Sequence, residues 1–451
     1  MQTIDLLLAC RWLAPVRPAG VVLEHHAVAV NAGRIVAVEP LAQAEARFAA
    51  RQRVDLPTHL VTPGLINAHT HAAMALLRGI GDDLPLQRWL QDRIWPLEAA
   101  LVDEAFVHDG TQLAALEMLR SGVTTCSDMY FYPDASARGL RTAGMRAVVG
   151  IIAIDFPTRY ASDAEDYLRK GRAARDALRD DPLVSFTLAP HAPYTVSDAT
   201  LQRVALLAEE LDLPVHMHVH ETAHEVSESI EQHRVRPLAR LDALGLVTER
   251  LIAVHAVHLT DGEIELLAAR GASVAHCPAS NLKLASGIAR TADLLRAGVN
   301  LVFGTDGAAS NNRLDLIDEM RLAALMAKGT SGDAAALPAL RVLEGATLGA
   351  ARALGLERRI GSIEVGKEAD IAAFDLATVE TMPVFDPVSH LVYACGRENA
   401  SDVWVAGERV VQKRQHAMSH ADAPEGALSA SIAAWQNLSR QFLKAPGQKS
   451  P

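Results

Sequence analysis

The sequence predicts an α/β fold: a (β/α)8 barrel of the TIM type, with a small β-sandwich domain formed by the N- and C-terminal segments. Three observations carry this expectation. Between residues 61 and 356, short apolar β-type runs alternate with helical patterns about eight times, the number of strands a closed parallel barrel needs. β-type segments return on both flanks of that block. The chain has 451 residues, enough for a barrel of ~250 residues and a smaller domain beside it.

The first block, residues 1–60, carries β-type stretches at 27–30 and 35–38 around Asn31-Ala32-Gly33, a hairpin signal. The expected barrel strands lie at 65–68, 123–127, 148–154, 184–189, 215–219, 251–254, 273–275 and 301–304. Residues 198–211 read as a helix, with a Ser/Asp start and apolar Leu201, Val204, Ala205, Ala208 and Leu211 on one face. Gly122, Gly271 and Gly298 stand where helices end, as C-cap chemistry asks. Short β segments follow at 369–374, 402–405 and 409–412. The expected domains are therefore 1–60 with 357–415, and 61–356. Residues 416–451 form an extension, helical over 427–443 and frayed over 445–451.

Composition narrows the class. Hydrophobic residues make up 49% of the chain and aromatics only 4%, so Ala, Leu and Val fill the interior, as suits parallel strands covered by helices. The net charge of -11 argues against nucleic-acid or anionic-membrane partners. The four cysteines form no CxxC pair, which points to buried thiols in a reducing compartment. No segment approaches the ~20 apolar residues of a membrane span. The N-terminus lacks the basic start of a signal peptide. The expected location is cytoplasmic.

Ionisable residues gather at the ends of the expected strands. His69 and His71, two apart after strand one, project to the same side, at the barrel face where active sites sit. His216, His218 and His220 alternate along strand five, with His218 or His220 placed to bind a metal. Glu221 points away unless the chain turns after it. His191 ends strand four and His255 strand six. Asp306 sits between glycines after strand eight. Each has an ordinary reading alone: a core histidine, or an Asp-Gly turn. Together they place imidazoles and a carboxylate at one rim, which suits Zn²⁺ or Fe²⁺.

The chain resembles the amidohydrolase superfamily, in the group of 5-methylthioadenosine/S-adenosylhomocysteine deaminases and related aminohydrolases. The resemblance rests on PGLINAHTH (63–71), MALLRG (74–79), APHAPYTVS (189–197), HVHET (218–222), HCPASNLKLASG (276–287) and GTDGAASNN (304–312). It implies metal ligands His69, His71, His218 and Asp306, holding one divalent ion, zinc or alternatively iron. It implies Glu221 as proton shuttle and His255, with Asp306, as partner of the attacking water. It further implies that Trp89, Glu98, His191 and Ser310 line a nucleoside pocket, Glu98 holding the ribose hydroxyls. The implied reaction is hydrolytic deamination of an adenine nucleoside, and the implied assembly a homo-oligomer.

Two departures stand out. Nucleoside-specific relatives can carry arginines after the third strand, where this chain has Gly150-Ile151-Ile152, with Arg159 nearby. Strand four ends in His191 rather than the lysine that bridges two metals in other relatives, which favours one metal. The competing readings are a related hydrolase of s-triazines or guanine, and a barrel that serves only as a scaffold. A scaffold would have lost ligands, and none is missing.

Overall fold

The computed structural model describes residues 1–416 and 424–444. All eight expected runs are strands of one parallel sheet, neighbours in chain order: Leu65–Thr70, Val123–Asp128, Arg146–Ala153, Val184–Pro190, Val215–Val219, Leu251–His255, Ser273–His276 and Asn300–Phe303. Nearly every strand residue is buried, which is why the runs read as continuously apolar rather than alternating. The sheet nearly closes: the Asp306 N–H donates to the His69 carbonyl at 3.1 Å, tying the segment after strand eight to strand one.

Helices alternate with these strands. The helix Asp198–Leu211 has the expected bounds, with the Ser197 hydroxyl accepting the Thr200 N–H at its start. Its buried face is Leu201, Val204, Leu207 and Ala208. Leu207 joins that face while the expected Ala205 and Leu211 are half-buried at its edges, a small rotation of the apolar stripe. Gly271 caps the helix Asp261–Arg270 with φ +70°, a conformation that glycine adopts without a Cβ penalty.

The chain ends build a second, mixed sheet of eight strands. Its order runs Gln415–His416, Glu408–Gln412, Ala400–Val405, Ile371–Asp375, Phe48–Pro63, Gln2–Leu13, Leu23–Asn31 and Arg34–Pro40. Gln2–Leu13 and Phe48–Pro63 pair in parallel. The sheet curls until its hairpin turns meet. A Cβ on Gly33 would lie 2.6 Å from the Ala406 carbonyl oxygen, and the Ala369 N–H donates to Gly33 O at 2.9 Å. Leu8, Val28, Ile371 and Trp404 share the core so enclosed.

By contacts the chain forms two compact units. One comprises Met1–Asn67, Leu116–Thr125 and Asp315–Asp422; the other comprises Ala68–Ala115, Cys126–Leu314 and Ala423–Pro451. The site side chains described next all belong to the second. That unit includes the helix Pro424–Lys444, where a helix was expected over 427–443. The Trp435 ring packs edge-on against Phe106 at 5.3 Å. Its Nε1–H donates to Asp109 Oδ2 at 3.0 Å, and the ring lies against the apolar cluster of Leu86, Trp89, Leu90 and Ile94. Residues 445–451, read as frayed, lie outside the described residues. Among the described residues no helix is long and apolar enough to cross a membrane.

Candidate active site

The strand ends bring five sequence-predicted groups together. One donor atom each from His69, His218 and His255 lie within 4.8 Å of one another, as do those of His69, His71 and Asp306. Asp306 Oδ1 is 3.3 Å from both His69 Nε2 and His71 Nε2. His69 has no solvent exposure and Asp306 only 5%. Two of these residues sit in left-handed backbone, His255 at φ +70° and Asp306 at φ +59°. Non-glycine residues enter that region at a cost, and such strain concentrates at functional sites.

The hydrogen bonds behind the imidazoles test whether the set fits a metal. His71 Nδ1–H donates to Met129 O at 2.6 Å, His218 Nδ1–H to His191 O at 2.8 Å and His255 Nδ1–H to Asn281 Oδ1 at 2.8 Å. His69 Nδ1–H donates to His216 Nε2 at 2.8 Å, and His216 passes the chain on to Ser127 Oγ at 3.3 Å. Each ring so held presents the Nε2 lone pair inward, the tautomer a metal ligand needs. Burial holds His69 down to about 4 and His218 well below the usual histidine range, so both are neutral near pH 7. Burial alone would raise Asp306, but its hydrogen bond to His69 and the neighbouring His71 and His69 hold it well below the usual carboxylate range. Ser280 and Ser310 donate to Asp306 Oδ2 at 2.6 and 2.9 Å, and Gly307 N–H to Oδ1 at 2.9 Å. Neutral imidazoles with one carboxylate are the donor set of a mononuclear zinc or iron site.

His220, the other candidate on strand five, is turned away. Its Nε2 accepts the Leu238 N–H at 3.0 Å and its Nδ1 lies 3.0 Å from His258 O. The backbone at His220 is left-handed, φ +57°. That is the turn Glu221 requires to leave the strand direction and enter the site. Glu221 Oε2 lies 3.7 Å from His255 Nε2, and Oε1 accepts from Ser286 Oγ at 3.3 Å. Burial raises its carboxyl above the usual glutamate range.

A cavity of about 460 Å³ opens above these groups, within the range of small-molecule sites. Trp89, Glu98, His191 and Ser310 all line it. Trp89 and Glu98 stand on helical turns, Leu86–Trp89 and Trp95–Leu101, joined by a π-helical turn at Leu90–Ile94. Such turns recur at functional sites. The Trp89 Nε1–H donates to Ile80 O at 3.2 Å. Tyr130 OH donates to Glu98 Oε1 at 2.7 Å, and enclosure pushes the Glu98 carboxyl up to about 7. Burial holds His191 down to about 3. Arg159 also lines the cavity and donates to Ala100 O at 3.0 Å. The outer wall is otherwise apolar and aromatic, with Leu90, Trp95, Phe131 and Phe156.

Sequence reasoning missed the supporting groups: His216 as a relay, Ser280, Asn281, Tyr130 and Ser286. The segment 276–287 signals three of them, since it puts hydroxyl and amide side chains directly after strand seven. Gly304 is a further constraint. A Cβ there would lie 2.8 Å from both His69 Cβ and His69 O. Gly304→Ala is expected to destabilise the protein by about 1–3 kcal/mol, the usual range for overpacking, and to weaken metal retention. Thermal melting and metal analysis check both, and a variant as stable and as metal-loaded as wild type contradicts the reading.

Comparison with known proteins agrees with this geometry. A model of the amidohydrolase family matches residues 60–410. The chain is similar to the 5-methylthioadenosine/S-adenosylhomocysteine deaminase of Saccharophagus degradans, 47% identical over 91% of this chain and 92% of that protein. The deaminase of the same name from Teredinibacter turnerae is 46% identical over 91% and 93%. Among solved structures, an adenosine deaminase from Xanthomonas campestris with bound zinc superposes with a TM-score of 0.95 at 52% identity, over 98% of this chain and 99% of that one. The atrazine chlorohydrolase of Arthrobacter aurescens shares the fold, with a TM-score of 0.87 at 23% identity, over 96% and 100%. The family match spans most of the chain, and the chain belongs to the amidohydrolase family.

Proposed function

We propose that the protein hydrolyses the exocyclic C–N bond of an adenine nucleoside, releasing ammonia and the inosine analogue. One observation carries the choice within the family: Glu221 is a buried carboxyl with a raised pKa, beside the imidazole cluster and facing the cavity. An amine leaves only with a proton, and a protonated acid at that place supplies it. The curated relatives, named for 5-methylthioadenosine and S-adenosylhomocysteine, support the nucleoside.

His69, His71, His218 and Asp306 would hold one divalent ion, zinc by analogy with the Xanthomonas structure. When bound, the ion supplies Lewis-acid activation of a water at neutral pH. Asp306 and His255 orient that water and accept its proton as its oxygen adds to the amino-bearing ring carbon. Glu221 gives its proton to the adjacent ring nitrogen. The proton taken by Asp306 and His255 passes by way of Glu221 to the departing amine, and the C–N bond breaks. The hydroxyl left on the ring carbon becomes the carbonyl as its proton restores Glu221. Trp89, His191 and Ser310 border the purine, and Glu98 accepts from the ribose hydroxyls. Four buried free thiols suit a reducing cytoplasm.

The Glu98 role carries a pH signature. With its pKa near 7, Glu98 is protonated on the acid side and a full acceptor on the alkaline side. KM for the nucleoside is expected to fall as pH rises through about 7, and Glu98→Gln to flatten that dependence while raising KM. A pH series of KM for both proteins checks it. A wild-type KM independent of pH contradicts it.

The direct test is ammonia release by the metal-loaded protein from adenosine, 5-methylthioadenosine, S-adenosylhomocysteine and guanine, with chloride release followed from a chloro-triazine, at matched concentrations. Release from the adenine nucleosides supports the reading and ranks the 5′ groups. Turnover of guanine or the triazine alone overturns the substrate class.

A further inference from the structure

The turn that brings Glu221 into the site is held by a residue with no part so far. Strand five ends at Val219, His220 is left-handed, and the helix Ala223–His233 begins two residues after Glu221. The backbone N–H groups of His220 and Glu221 both point to one carboxylate, that of Glu225. Oε1 accepts the His220 N–H at 2.9 Å, and Oε2 accepts the Glu221 N–H at 2.8 Å. Glu225 is 3% exposed. Its own N–H donates to the Thr222 hydroxyl at 3.1 Å, the cap of that helix. Both carboxylate oxygens are thus used on two consecutive amides, and the stem is fixed by the helix start.

The geometry points to Glu225 as a positioning residue for the proton shuttle. Glu225 does not itself line the cavity. It fixes the two peptide units that set where the Glu221 side chain leaves the backbone, and so the approach of that carboxyl to His255. Only a carboxylate offers an acceptor at both positions. A glutamine of the same size would set an NH₂ against one of the two N–H groups. The buried donor would lose its partner, and the turn would shift to relieve it. This inference rests on the role given to Glu221.

The test is a double-mutant cycle on the zinc-loaded protein, using whichever substrate the wild type turns over. A displacement of ~1 Å at a reacting group lowers rate on the order of 10²-fold. Glu225→Gln is therefore expected to lower kcat by ~10- to 10²-fold, with KM and bound zinc within about twofold of wild type. In a Glu221→Gln background the same change is expected to add almost nothing, because the group it positions is gone. If the Gln variant does not fold, Glu225→Asp carries the cycle with the same criteria. Unchanged kcat, loss of zinc, or losses that multiply in the double variant would each overturn the inference. A wild type that turns over only a triazine or guanine would overturn the nucleoside reading instead, and leaves the cycle measurable.

Discussion

Glu221→Gln is expected to retain bound metal and fold while losing at least ~10² in kcat, the lower range for general acid–base catalysis. The substitution preserves volume and the hydrogen bond from Ser286 Oγ to the side-chain oxygen. It removes only the proton that the buried carboxyl carries. Burial raises that carboxyl above the usual glutamate range, which favours its proton-bearing form. Glutamine can neither donate to the ring nitrogen as an acid nor shuttle the proton to ammonia. Steady-state kinetics with metal analysis of the same sample separate the two effects. Turnover near wild type in a fully metalled variant sinks the assignment of Glu221.

Loss of a ligand is expected to have the larger effect. His71→Ala is expected to reduce bound zinc from about one per chain to near zero, and kcat with it by ~10³ or more, since the Lewis-acid contribution is several kcal/mol. His71 is the telling choice because its Nδ1–H is held by a backbone carbonyl, Met129 O, rather than by a buried side-chain relay. It is the least buried member of the cluster, with a side chain 14% exposed. Removing it therefore perturbs packing less than removing His69, whose loss would also break the relay through His216 to Ser127. Metal content by elemental analysis and melting temperature without added metal are the readouts. Zinc retained at full occupancy contradicts the ligand set.

The barrel was legible because its strands are buried on both faces and so stand out as apolar runs bounded by glycine. The clustering of His69, His71, His218, His255 and Asp306 was legible for a related reason: ionisable residues directly after such runs need partners. The second sheet was read only in part. Phe48–Pro63 carries Arg51, Gln52, Arg53, Asp55 and Pro57, a composition that hides a strand whose exposed face is charged. Gln2–Leu13 looked like a short apolar run because only its middle is continuously apolar. At the site, period-two reasoning left His218 and His220 open and pointed Glu221 outward. The answer lies in one left-handed residue, His220, in a conformation non-glycine residues rarely adopt, held by the Glu225 carboxylate from the next helix. Contacts of that kind are tertiary, and composition carries no trace of them.

The seat of Trp435 has a consequence for the order in which the molecule is made. The groups at the cavity floor have all been synthesised by Asp306. The helix whose Trp435 packs on Phe106 and the apolar cluster around it is the last described element of the chain. A nascent chain can therefore bring its imidazole cluster together before Phe106 and the apolar cluster around it have their last packing partner.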